Sequence, residues 1–218
     1  MRKYESDDKS SHSKLKMIQA LIFDCDGTLT DSMPAHYTAW RTVLQRYGVT
    51  FEEDRFYALG GIPSDKICAL LSAEQGTTID ATLAAKEKEA EFMAVLHLIQ
   101  PIAAVTDIVR QHRGQLKLAV ASGGFRRVVT SQLQHIGLAD WFDAIVCAED
   151  TARHKPEPDV FLEAARRLAI LPQHCRVYED SDLGIEAARR AGMSWVDVRE
   201  FHTPRRVSPP PTQPTALR

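Results

Sequence analysis

The stretch MIQALIFDCDGTLTDS, residues 17–32, decides the fold. Its first seven residues are apolar but for Gln19, the pattern of a strand covered on both faces. The run stops at Asp24 and Asp26, and Gly27 permits an unusual backbone turn after them. In open α/β sheets ligands bind beyond the carboxyl ends of the strands, so a strand ending in two acids marks both a sheet and a site.

Four further runs repeat the strand pattern: LKLAVA (116–121), DAIVCA (143–148), CRVYE (175–179) and SWVDVR (194–199). Amphipathic stretches lie between them. Val128, Val129, Leu133 and Ile136 share one face of 125–136 before Gly137, and Phe161, Leu162, Ala165 and Leu168 share one face of 159–168. This alternation predicts an α/β fold with a doubly wound, Rossmann-like parallel sheet. More than ninety residues separate the first two runs, far beyond one crossover helix. Residues 34–100 read as helices only, at 35–47, 64–73 and 80–99, with Gly60-Gly61 as a joint. The expected organisation is a catalytic core of 17–33 and 101–200 with a small α-helical cap, 34–100, inserted after the first strand as a lid. Disordered tails are expected at 1–16 and 201–218. The second has five prolines in its last sixteen residues and no apolar periodicity to pack on the body.

Composition narrows the partners. The 218 residues carry 27 Lys and Arg against 29 Asp and Glu, and the basic excess sits at the ends. Residues 1–16 hold five positive and three negative side chains and 199–218 four and one, which leaves 17–198 at −7. An acidic body argues against nucleic acid or an anionic membrane as partner. Four scattered cysteines without a CxxC suggest neither a disulfide framework nor a zinc site, and no apolar stretch is long enough to be a signal peptide or a membrane span. A cytoplasmic monomer is the expectation.

The polar residues after each predicted strand converge on one rim: Asp24, Asp26, Gly27 and Thr28; Ser122, Gly123 and Gly124; Lys155; then Glu179, Asp180 and Asp182. Glycines after Ser122 leave backbone N–H groups free at a helix start, and with the hydroxyl they make an anion cradle. Carboxylates beside a phosphate repel, each close pair by about 4 kcal/mol at 4 Å and an effective dielectric near 20. A hard divalent cation resolves this, and oxygens of Asp24 and Asp180 with Glu179 suit Mg²⁺, while Lys155 adds one fixed positive charge. Two acids two residues apart then take two roles. Asp24 attacks phosphorus to form an aspartyl-phosphate, and Asp26 protonates the leaving oxygen and later activates water.

FDCDGTLTDS, ASGG, HKPEPDVF and YEDSDLGIEAARRAGM resemble the four motifs of the haloacid dehalogenase-like phosphatase superfamily, over roughly residues 18–200. The helical insert and the run HYTAW are similar to the β-phosphoglucomutase subgroup, and within it the chain looks most like bacterial phosphatases of fructose 1-phosphate and 6-phosphogluconate. The resemblance implies Asp24 as nucleophile, Asp26 as acid/base with its carbonyl on the metal, Ser122 and Lys155 as phosphate ligands, and Glu179 with Asp180 at Mg²⁺. An acid at position 26 argues against carbon–halogen and carbon–phosphorus cleavage. The subgroup's mutases carry an Arg after the Gly-Gly joint to grip a second phosphate, whereas GGIPSDK places Ser64 there. Without a bidentate guanidinium a bisphosphate is held poorly, so hydrolysis is expected over phosphomutase chemistry. A non-catalytic binding module is disfavoured because every charged role at the rim is filled.

Further substrate contacts are expected from Thr28, from His36 and Trp40 one turn apart on the first cap helix, from Gly61 at the joint and from Lys66 after it. Gly123 is expected in the cradle. Asp182 is expected to cap the following helix or to support Lys155.

Overall fold

The computed structural model describes residues 17–60, 62 and 64–207. Its sheet has five parallel strands in the order β5-β4-β1-β6-β7: β1 (Ala20–Phe23), β4 (Lys117–Ala121), β5 (Ala144–Val146), β6 (Cys175–Glu179) and β7 (Ser194–Asp197). β1 is central and wholly buried because both its faces are covered. Ala20 and Ile22 join Phe161, Ala164, Ala165 and Leu168 of α7 (Asp159–Leu168) and Ala187 and Ala188 of α8 (Asp182–Arg190). Leu21 and Phe23 join Val105 and Val109 of α5 (Ala103–His112) and Val129 and Leu133 of α6 (Arg126–His135). The alternation of side chains along one strand thus feeds two cores. In register, Phe23 lies beside Val120 and Tyr178, so the residues after β1, β4 and β6 leave the sheet at one edge.

Between residues 33 and 98 the described chain makes four helices, α1 (Met33–Arg46), α2 (Glu53–Ala58), α3 (Ser64–Gln75) and α4 (Ala81–Ala94), followed by a 3₁₀ turn at Leu96–Leu98, and α5 comes after them on the way to β4. Tyr37, Trp40, Val43, Leu44, Phe51, Phe56 and Leu71 give this insert its own core. It is joined to the sheet domain through a two-stranded antiparallel pair, β2 (Thr30–Asp31) with β3 (Gln100–Pro101). A small apolar cluster of Ala39, Phe92, Ile99 and Val128 spans the two bodies. The helix expected over 80–99 is therefore broken at Ala94, and α2, α5 and the β2/β3 pair are additions to the expected plan.

The C-terminal expectation needs correction. Residues 1–16 and 208–218 lie outside the described residues, but 201–207, assigned from sequence to a disordered tail, run against the hinge and the insert. Arg205 Nε donates to Asp31 Oδ2 at 2.8 Å, the Val207 amide donates to Glu53 Oε1 at 2.8 Å, and Arg206 pairs with Asp54. The Arg206 guanidinium also lies 4.6 Å from the centre of the Tyr57 ring. Hydrogen bonds and charge, not apolar periodicity, hold this strap, because Asp31 and Glu53 are buried carboxylates that need partners. Deleting residues 204–218 should therefore lower Tm by about 2–4 °C, the shift expected for about 1 kcal/mol in a chain of this size. An unchanged melting curve would show that the strap is not held in solution.

No helix among the described residues is long and apolar enough to cross a membrane. All four cysteines are buried.

Candidate active site

The β1 ladder continues one residue past the strand, with the Asp24 amide donating to the Tyr178 carbonyl at 3.0 Å. The chain then folds back on Cys25, whose carbonyl accepts from the amides of Leu29 and Thr30 at 3.0 and 3.1 Å. Gly27 closes this turn at φ +81°, and a Cβ built there would lie 2.1 Å from Asp180 Oδ2. Only glycine fits, by backbone and by space. The turn sets Asp24 and Asp26 on the rim, and Thr28, fully buried, donates to Asp180 Oδ1 at 3.2 Å.

Lys155 arrives from the segment before α7 and binds two acids, Asp24 Oδ1 at 2.6 Å and Glu179 Oε2 at 2.8 Å. Burial alone would draw its ammonium down, but these two carboxylates overcome burial and keep it protonated well above its ordinary range. Burial, then the neighbouring Glu179, pushes Asp24 well up despite Lys155, and the same causes push Asp180 up to about 8. Glu179 is bound on both oxygens, Oε1 taking the Ser181 amide at 3.2 Å. Gly184 lets it sit there, since a Cβ at that position would be 2.0 Å from its carboxyl carbon. Oxygens of Asp24, Glu179 and Asp180 lie within 4.8 Å of one another. A close set of hard oxygen donors whose negative charges resist coexisting fits a hard divalent cation.

Ser122 extends β4, its amide donating to the Val146 carbonyl at 3.0 Å, and its hydroxyl accepts from the Gly124 amide at 3.0 Å. The cradle is narrower than expected. The Arg126 amide at the start of α6 is taken by the Glu149 carboxylate at 2.9 and 3.0 Å, while the exposed Gly123 amide has no hydrogen bond among the described residues.

Asp26 Oδ1 accepts from three side chains: Ser32 Oγ at 2.7 Å, His36 Nε2 at 2.8 Å and Gln132 Nε2 at 2.8 Å. Burial would raise this carboxyl, but His36, Ser32 and Gln132 together hold it well below the usual range. Burial and the nearby Lys88 lower His36 itself, against the pull of Asp26. Its Nδ1 is buried without a partner among the described residues, which puts the ring proton on Nε2. His36, expected to face substrate, instead holds the second acid and stacks on Phe92 at 3.9 Å.

The other expected contacts divide. Trp40 is buried in the core of the insert, edge-on to Phe51 at 6.4 Å, and offers no free face. Lys66 is exposed on α3, and nothing among the described residues ties it to the rim. Gly61 lies outside the described residues. Asp182 neither caps α8 nor touches Lys155: Ser181 is the cap, accepting from the Gly184 amide at 3.1 Å, while Asp182 pairs with Arg199 at 2.8 Å. A hydroxyl followed by an acid in the first turn is the usual order at a helix start, so the signal was in the sequence one residue earlier.

Sequence reasoning missed Ser32, Gln132 and Lys88. Gln132 had a readable signal, a polar residue on the apolar face of α6 between Val128 and Leu133. Lys88 of α4 lies 5.8 Å from the centre of the Trp40 ring system and 5.7 Å from that of Phe92. Burial lowers its pKa against the pull of Asp26.

The parallel sheet carries its acid pair to the carboxyl edge, where open α/β sheets bind their ligands, with a helical unit inserted directly after the central strand. The chain belongs to the haloacid dehalogenase-like hydrolases, whose family model matches residues 21–198. It is 41% identical over 180 residues to the fructose-1-phosphate phosphatase YqaB of Escherichia coli (strain K12), covering 82% of this chain and 95% of that one. The β-phosphoglucomutase of Bacillus subtilis (strain 168) is 29% identical over 190 residues, 83% of each chain. The crystal structure of a β-phosphoglucomutase from Clostridium difficile matches the fold with a TM-score of 0.75 at 26% identity, over 83% of this chain and 84% of that one. Residues 199–207, strap included, lie beyond the family match.

Proposed function

We propose that this hydrolase removes phosphate from small phosphorylated sugars, hexose or sugar-acid monophosphates such as fructose 1-phosphate or 6-phosphogluconate, through an aspartyl-phosphate on Asp24. The observation that carries this reading is the pairing of two differently held acids. Lys155 binds only one oxygen of Asp24, and Asp26 keeps one oxygen unbonded among the described residues.

The Asp24 carboxylate oxygen not bound to Lys155 attacks phosphorus, and the bond to the sugar oxygen breaks. Asp26, which its three donors hold ionised, takes up a proton on its unbonded oxygen as the substrate monoanion enters and gives that proton to the departing oxygen. It then takes a proton from water, whose oxygen attacks the aspartyl-phosphate and frees inorganic phosphate and Asp24. Ser122, the Gly123 amide and Lys155 hold the phosphoryl oxygens. Asp24, Asp180 and the Asp26 carbonyl, with Glu179 beside them, would hold Mg²⁺, which would supply the positive charge that lets anionic substrate and acids share the site. Thr28 fixes Asp180. The helical insert, 34–100, serves as the lid over the core of 17–33 and 101–200, and Lys88 brings a cation from it toward an anionic substrate. Gly61 and Lys66 remain part of the proposed substrate contacts on the lid, and Trp40 supports it by packing. The partner is a small phosphorylated metabolite rather than nucleic acid or membrane, and the proposed form is a cytoplasmic monomer.

Ser64 at the start of α3, where a mutase would place a guanidinium, favours hydrolysis over transfer. Fructose 1-phosphate with Mg²⁺ should therefore yield stoichiometric inorganic phosphate without a bisphosphate activator, and EDTA should silence the reaction. Phosphorus NMR of β-glucose 1-phosphate is the test. Accumulation of glucose 6-phosphate, primed by glucose 1,6-bisphosphate and with little free phosphate, would replace the hydrolase by a mutase.

A further inference from the structure

The three donors on Asp26 Oδ1 are anchored in different bodies. Ser32 precedes α1 and His36 lies in its first turn, so both belong to the hinge and insert. Gln132 belongs to α6 of the sheet domain, as Asp26 does to the loop after β1. Any movement of the insert carries two of the three donors with it. Gln132 stays.

Its amide has one permitted orientation. Oε1 accepts from the Thr30 hydroxyl at 2.6 Å and Nε2 donates to Asp26 Oδ1 at 2.8 Å. Turning the amide over would set its carbonyl against the carboxylate. Gln132 and Thr30 are both fully buried, so water cannot substitute for either bond. A polar side chain placed at that depth among Val128, Val129 and Leu133 costs stability unless its bonds are made.

The remaining oxygen of Asp26 is directed elsewhere. No hydrogen bond reaches Oδ2 among the described residues. A Cβ built on Gly124 would lie 3.5 Å from Oδ2 and 3.3 Å from Ser122 Oγ, which brings Oδ2 to the edge of the phosphate cradle. With Oδ1 saturated by three donors, the proton that moves must travel on Oδ2.

We infer that Gln132 is a positioning residue that clamps Asp26 from the core side, so that Oδ2 carries the proton to and from the sugar oxygen whatever the position of the lid. The inference rests on the acid/base role proposed for Asp26. In the first step the phosphorus–oxygen bond to the sugar breaks, its electron pair stays on the sugar oxygen, and that oxygen takes the Oδ2 proton. In the second, Oδ2 takes a proton from the attacking water.

Leaving-group chemistry tests this. An alkyl ester needs the proton to leave, whereas p-nitrophenolate departs without it, so in the first step, which kcat/KM reports, misplacing Oδ2 penalises one substrate and not the other, while the water step is common to both. Gln132→Met keeps the length of the side chain and removes the amide. It should lower kcat/KM for fructose 1-phosphate roughly ten- to a hundredfold relative to kcat/KM for p-nitrophenyl phosphate, part of what general acid catalysis supplies. The ratio of the two rates is measured on one preparation, so it is indifferent to how much of the variant folds. Thr30→Val, which removes the bond that anchors the amide oxygen, should move the ratio in the same direction. A ratio unchanged in Gln132→Met, or equal losses on both substrates, overturns the assignment, since equal loss is what a merely structural residue gives. If the parent protein hydrolyses neither ester, the phosphatase reading itself falls.

Discussion

Asp24→Asn should cost turnover on the order of 10⁴-fold or more while leaving the protein folded. An amide at this position keeps the shape of the side chain but has no anionic oxygen to form the bond to phosphorus, and no other carboxylate on the rim can replace it. Asp26 has one oxygen saturated by three donors, and Glu179 is bound on both. Stability should move the other way. Burial and Glu179 hold the Asp24 carboxyl well above its ordinary range, so its ionised form opposes folding at neutral pH. Stability linked to this group is full below its unfolded pKa and is lost as pH rises through the folded one. An uncharged amide removes that loss, and Lys155 retains Glu179 as a partner. A melting temperature equal to or above that of the parent, with turnover gone, is the expected pair of results. Parent-like turnover in Asp24→Asn would end the aspartyl-phosphate mechanism, and a large drop in melting temperature would mean that Asp24 is needed for folding.

The parts of this molecule that a sequence can display are those in which one residue type repeats with a period or stands at a strand end. β6 and α7 have the expected boundaries, because CRVYE is a compact β-forming run and 159–168 buries one clean stripe. The rim acids follow from strand ends alone. What escaped reading was short or relational. β2 and β3 are two residues each, too few for any period, and their pairing depends on residues seventy positions apart. The six residues of α2 make less than two turns. Trp40 has the chemistry of a sugar-stacking ring, yet the fold turns it into the core of the insert. The strap at 201–207 is held by Asp31 and Glu53, whose burial no local pattern announces. Gln132 differs, since its position on an apolar face was visible, but its partner Asp26 lies 106 residues away. A buried amide reveals that it has a partner and not which one.

Gly27→Ala should lower kcat by roughly 10²-fold or more, the cost of misplacing a site group by about 1 Å. The added methyl would stand 2.1 Å from Asp180 Oδ2 and 2.7 Å from its carboxyl carbon, so one of the two must move. The turn cannot yield easily. It is pinned by the Gly27 amide on the Thr30 carbonyl at 2.8 Å and by the amides of Leu29 and Thr30 on the Cys25 carbonyl. Asp180 must therefore swing away, breaking its bond from Thr28 and opening the acid cluster that Mg²⁺ is proposed to bind. The backbone adds its own cost, about 1 kcal/mol for placing a non-glycine residue at φ +81°. Gly48→Ala separates the two effects. Its φ is +71°, and nothing lies within 4 Å of the new methyl, so it carries the backbone cost without the collision. Both variants should melt a few degrees below the parent. Only Gly27→Ala should also need much more Mg²⁺ for half-maximal rate, because only there is an acid displaced. Equal kinetic losses in the two variants would trace the effect to backbone strain, and the close approach of Gly27 to Asp180 would then have no part in catalysis.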